Sequence, residues 1–142
     1  MNQLLILLSL IVLTSCNRIT PGSTLSEKDI KRIGEIGLLD KNEKIIRFYS
    51  EMDNETAGNF FTNKRLAKYW LDKDDPAKTK VSSAYYKDIK TIDTVYYAGA
   101  TYCPYMKVTT KDGYTFKVCA DGEKEEIKAF FEEAMAKWKS KS

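Results

Sequence analysis

The chain has 142 residues, 43% hydrophobic and 30% charged, which is an ordinary globular composition and allows one domain. There is no histidine, which excludes Ser-His-Asp and Cys-His nucleophile sites, His-ligated zinc and His general-base chemistry. A net charge of +3, from 23 basic and 20 acidic residues well mixed, gives no electrostatic footprint for nucleic acid.

Residues 1–16 carry no charged side chain, and residues 4–13 are almost unbroken Leu, Ile and Val. Ten such residues as a helix span about 15 Å, half of a hydrocarbon core of about 30 Å. The segment therefore reads as a signal-peptide core rather than a membrane span. Leu13, Thr14, Ser15 and Cys16 follow. An aliphatic residue, two small residues and a cysteine resemble the bacterial lipobox, which implies cleavage before Cys16 and acylation of its thiol and new amine. Met1, Asn2 and Gln3 supply no basic residue, which departs from the usual start. The alternative is an N-terminal core helix ending in a buried cysteine.

The organisation expected is a signal peptide at 1–15, lipidated Cys16 with a polar tether to residue 25, and one domain over 26–142. Several acyl chains on one cysteine anchor a protein firmly. Residues after Cys16 lack the acidic run of surface-exported lipoproteins, and Asn17 and Arg18 resemble a periplasm-facing start. The place expected is the cell envelope of a Gram-negative bacterium, on the inner or outer membrane.

In residues 26–39, Ile30, Ile33 and Ile36 recur at spacing three, which predicts a short helix capped by Ser26 and weakened by Gly34 and Gly37. Strand signals follow at 44–51, 58–62, 64–71, 82–89, 92–98, 102–109 and 114–120, about seven short strands rich in Tyr, Phe, Ile and Val. Lys111, Asp112 and Gly113 read as a three-residue turn that sets Val108 opposite Phe116 and Met106 opposite Val118. Residues 123–139 place Ile127, Phe130, Phe131, Ala134 and Trp138 on one helical stripe, with Asp121 as the expected N-cap. That stripe reads as packing on the sheet rather than lying on a membrane.

Three cysteines is an odd count. With Cys16 lipidated, Cys103 and Cys119 remain on one face of the hairpin, offset by one pair. A disulfide suits an oxidising compartment; the alternative is two separate half-buried thiols. No histidine is present to activate either as a nucleophile.

These elements outline a mainly β, α+β fold: a small antiparallel barrel or sandwich plugged by a C-terminal amphipathic helix. Four stretches carry a resemblance to the bacterial pleckstrin-homology-like families. They are Gly37-Leu38-Leu39-Asp40 with Glu43-Lys44-Ile45-Ile46, Phe61-Thr62-Asn63-Lys64-Arg65-Leu66, Tyr86-Lys87-Asp88-Ile89-Lys90-Thr91-Ile92, and residues 108–116. The resemblance spans residues 36–139. Read physically, Asn63 suits a left-handed turn position. Asp88 is placed to accept backbone donors where the chain crosses between sheets, with Ile89 and Ile92 entering the core.

The resemblance brings phosphoinositide binding to mind. The first hairpin loop, with Glu51, Asp53 and Glu55 and no base, would repel phosphate. Asp72, Asp74 and Asp75 lack the glycine and distal glutamate of a calcium loop, so no metal is expected. Acids and bases are scattered and no motif organises them, so no enzyme and no cofactor are expected. Lys87, Lys90, Lys107, Lys111 and Lys117 interleave with tyrosines, but an exported lipoprotein rarely meets nucleic acid, and none is expected as a partner. Among nine tyrosines, Tyr85, Tyr97 and Tyr105 are the candidates for an exposed aromatic surface. The function expected is a non-catalytic, membrane-anchored module for an envelope protein or peptide. The alternative is a small-ligand or glycan-binding lipoprotein using tyrosines or the barrel mouth.

Overall fold

A computed structural model describes residues 18–100 and 102–141, so the expected signal peptide and Cys16 lie outside the described residues. Two antiparallel sheets carry the chain. The first runs in the order β1 (Thr20–Pro21), β2 (Ile45–Tyr49), β3 (Ala57–Thr62), β4 (Arg65–Trp70) and β5 (Lys80–Tyr85). The second holds β6 (Ile89–Val95), β7 (Tyr105–Thr110) and β8 (Thr115–Cys119). Helix α1 (Glu27–Glu35) precedes β2, and α2 (Lys124–Lys141) closes the chain. Among the described residues the two sheets are not hydrogen-bonded into a closed barrel. At one point of contact a side chain replaces a ladder: the Cys119 N–H donates to Asn59 Oδ1 at 2.9 Å.

The expected tether is shorter than 16–25. Thr20 pairs with Phe48 and Pro21 with Arg47, at a sheet edge where proline's missing N–H is tolerated. Gly22 is buried so tightly that a Cβ there would sit 1.9 Å from the Ile45 carbonyl oxygen. Among the described residues strand pairing therefore starts at Thr20, six residues before the expected boundary at 26, and Ile19 already packs against the core.

Helix α1 follows its sequence signals at both ends. The Ser26 hydroxyl accepts the Asp29 N–H at 3.1 Å. At the other end the Leu38 N–H reaches the Ile33 carbonyl at 3.1 Å and the Gly37 N–H reaches Gly34 at 3.0 Å, with Gly37 at φ +84°. That is a Schellman stop, and Ile33 and Leu38 bury together as it requires.

Every residue of β3 is buried, because both faces of the first sheet are covered. Phe60 faces α1, with Ile33, Leu38, Phe48, Ala67 and Tyr69. Phe61 faces the second sheet and α2, among Leu66, Met106, Val108, Val118 and Phe130. The chain crosses between sheets through a 3-10 turn at Tyr86–Asp88. There Ile89 and Ile92 enter the core, and the Tyr86 hydroxyl donates to the Thr62 carbonyl at 2.6 Å. Asp88 contributes its backbone carbonyl, accepting from the Lys111 N–H at 2.9 Å, rather than its expected carboxylate.

Helix α2 buries Ile127, Phe130, Phe131 and Ala134, and Trp138 Nε1 donates to the Ile89 carbonyl at 3.4 Å. Glu133 clamps it to β2 through a bidentate pair with Arg47 at 2.6 and 2.8 Å. Asp121 is not the N-cap: α2 starts at Lys124 and the Ile127 N–H bonds to the Glu123 carbonyl, so Asp121 stands two residues before the cap position, where its Oδ1 accepts from its neighbour Gly122.

Candidate functional site

Polar groups gather at one corner of the first sheet. At the β3–β4 turn, the Thr62 hydroxyl accepts from the Lys64 and Arg65 N–H groups at 2.8 and 2.9 Å and donates to Glu43 Oε1 at 2.6 Å. Arg65 meets Glu43 with two bonds of 2.9 and 2.8 Å. The Arg65 side chain is 3% exposed and that of Glu43 0%, so this is a buried bidentate pair. Asp40 completes it, 2.9 Å from Arg65. Burial opposes the Glu43 charge, but hydrogen bonds from Arg65, Thr62 and the Asp40 N–H outweigh it and hold the carboxyl below the usual range. Asn63 has no left-handed backbone; its side-chain carbonyl accepts the Lys44 N–H at 2.9 Å. The left-handed residue is Asn42, at φ +64°.

Tyr85 belongs to this corner. Its hydroxyl donates to Asp40 Oδ2 at 2.9 Å and accepts from Arg65 at 3.0 Å, and the guanidinium lies 4.4 Å from its ring centroid.

The β7–β8 hairpin has the expected register, with Met106 opposite Val118 and Val108 opposite Phe116. Gly113 supplies the positive φ, +92°, that the turn needs. Cys119 lies opposite Tyr105 and bonds diagonally to Cys103, with the Cα atoms 5.8 Å apart. Tyr105 stands edge-on to Tyr102, their centroids 5.6 Å apart. The Lys117 ammonium rests 4.9 and 4.5 Å from the Tyr102 and Tyr105 centroids, within cation–π range.

Tyr97 is 88% exposed in the connection after β6. With Tyr96, Gly122, Lys124, Ile127 and Lys128 it lines a largely apolar depression of about 610 Å³ beside the start of α2. Tyr96 backs this wall by packing on Phe131, centroids 5.4 Å apart. The fold does not gather the three candidate tyrosines. Tyr85 is held at the buried corner, Tyr105 on the disulfide hairpin and Tyr97 beside α2. Tyr96 is not among those three: a strand over 92–98 would point adjacent tyrosines to opposite faces, whereas β6 ends at Val95 and frees both to line one depression.

The acidic loop after β4 is occupied locally: Asp72 Oδ1 accepts the Asp74 and Asp75 N–H groups at 3.0 and 2.8 Å. Glu55 of the first hairpin loop pairs with Lys73 at 2.8 Å.

No family model and no curated protein matches the chain. Among solved structures it is similar to a DUF1696 family protein with a pleckstrin-homology domain from Shewanella loihica PV-4. The TM-score is 0.55 at 15% identity, over 86% of this chain and 97% of that one. At that identity the likeness is one of fold alone, and the fold is pleckstrin-homology-like.

Proposed function

We propose that the chain is a lipid-anchored protein of a bacterial envelope, whose domain holds a protein or peptide partner near the membrane without chemistry. The observation that carries the partner reading is the apolar depression walled by Tyr96, Tyr97 and Ile127. Exposed aromatic anchors over an apolar floor are the usual centre of a protein interface. The anchor rests on the lipobox-like run ending at Cys16. Strand pairing from Thr20 bears on its reach. Four backbone steps from Cys16, at no more than roughly 3.6 Å each, limit the tether to about 14 Å. Such a tether keeps the domain against the bilayer rather than free in the envelope.

Intact mass from the native membrane fraction, beside Cys16→Ser, tests the anchor. The expected mass is a chain from Cys16 plus acyl groups, absent in the variant. An unmodified chain from Met1 overturns it. A photocrosslinker at position 97 tests the partner. A discrete envelope adduct that disappears in Ile127→Lys supports the reading, and an adduct pattern indifferent to that change contradicts it.

A further inference from the structure

Past Leu66 the inner face of β4 is only half-buried, at Lys68 and Trp70, beside the three-stranded second sheet. The next inner position on β4 is Lys68, opposite Asn59 and Ser82. It opens onto a seam between the sheets of about 400 Å³, lined by Tyr49, Glu51, Lys68, Tyr102, Asp121 and the Cys103–Cys119 disulfide. Pockets of this size with a few converging polar groups are ordinary small-ligand sites.

The two carboxylates are held by the protein, and all four polar groups keep free hydrogen-bonding capacity. Asn59 donates its amide to Glu51 Oε2 and accepts the Cys119 N–H, which ties the Glu51 carboxylate to both sheets. Glu51 Oε1 takes no protein hydrogen bond among the described residues. Asp121 spends only Oδ1, on Gly122. Lys68 makes no hydrogen bond or ion pair among the described residues, and the hydroxyl of buried Tyr49 makes none either. Burial lowers the ammonium's hold on its proton, Glu51 opposes that, and Lys80 and Lys117 add to it. Burial, then the charges of Asp121 and Glu51, push the Tyr49 phenol up to about 12, so it stays a donor at neutral pH. An ammonium and a phenol therefore share one cavity with two oriented carboxylates. A simple anion or cation would satisfy one pair and meet repulsion from the other.

We infer that this seam binds a free amino acid or dipeptide as its zwitterion, with the carboxylate on Lys68 and Tyr49 and the ammonium on Glu51 and Asp121. The site is separate from the Tyr97 depression and does not depend on the partner reading. Each end of such a ligand gains charge-assisted hydrogen bonds, and a floor held by Asn59 needs little reordering on binding.

The test is calorimetry on the full chain in detergent with L-alanyl-L-alanine, its N-acetyl form and its C-terminal amide. The free dipeptide is expected to bind saturably, and each blocked form to bind about tenfold or more weakly, the loss of one charged hydrogen bond. Lys68→Met and Tyr49→Phe are expected to lose a similar factor, while Tyr97→Ser leaves binding unchanged. Equal binding of the blocked forms overturns the assignment, and so does no binding of the dipeptide at millimolar concentration. Because the blocked ligands use the unaltered chain, the test stands even where a variant misfolds.

Discussion

Arg65 and Lys68 lie three residues apart on one strand and are treated in opposite ways. Arg65 points into a corner where Glu43, Asp40, Tyr85 and the Gly37 carbonyl take up its donors. Lys68 points into an open seam and is paired with nothing described. A base that the fold has fully satisfied is structural: its removal leaves a charge buried and unpaired. A base left unsatisfied beside a cavity costs the fold something and is available to a ligand. Abundance of charge says little about function here; what matters is whether the protein itself has used the charge up.

The largest effect is expected from breaking the satisfied side. Arg65→Met leaves Glu43 buried without its partner and should lower unfolding free energy by about 3–5 kcal/mol in urea titration. The same pair sets an acid limit. The folded Glu43 pKa is depressed below 4.5, so its contribution is present above that value. It is lost as pH falls through 4.5 toward the folded pKa. Glu43→Gln should flatten this acid-side loss in unfolding curves taken at stepped pH.

Next comes the disulfide, which holds one wall of the seam. Replacing Cys103 and Cys119 together by alanine opens a loop of sequence separation 16 and should cost about 3 kcal/mol in the same titration. It should also weaken dipeptide binding, since the tie between Cys119 and Asn59 loosens with it. Ser26→Ala, which removes the α1 cap far from either site, should cost about 1 kcal/mol and leave binding alone. Lys68→Met sharpens the contrast most. It removes a half-buried, unpaired ammonium whose desolvation costs the fold something, so stability should hold or rise by up to about 1 kcal/mol.

Much of the frame is legible before folding because its signals are local. The Ile127-to-Trp138 stripe predicts α2, Ser26 and Gly37 bracket α1, and the turn at 111–113 sets the register that brings Cys103 toward Cys119. Other features need the folded chain. Thr20 and Pro21 form a strand too short for any pattern and owe it to the free edge of β2. Asp121 has the right chemistry for a cap but stands two positions too far from the helix. Asn63 reads as a turn residue by type, yet the Thr62 hydroxyl shapes that turn and Asn63 ties it to Lys44. The seam is the least legible of all. Tyr49, Glu51, Lys68 and Asp121 come from three parts of the chain, and only the folded chain brings them together. The one local hint was a lysine at an inner position between Leu66 and Trp70.

The central contrast is tested most directly by following the Lys68 side-chain carbons by NMR, through a pH titration of the free protein and through addition of L-alanyl-L-alanine at about pH 7, where the dipeptide is a zwitterion. The account predicts a midpoint below the ordinary lysine value of 10.5 in the free protein, and carbon shifts that move saturably as the dipeptide is added. A midpoint at 10.5 with carbon shifts that the dipeptide leaves unmoved would contradict it.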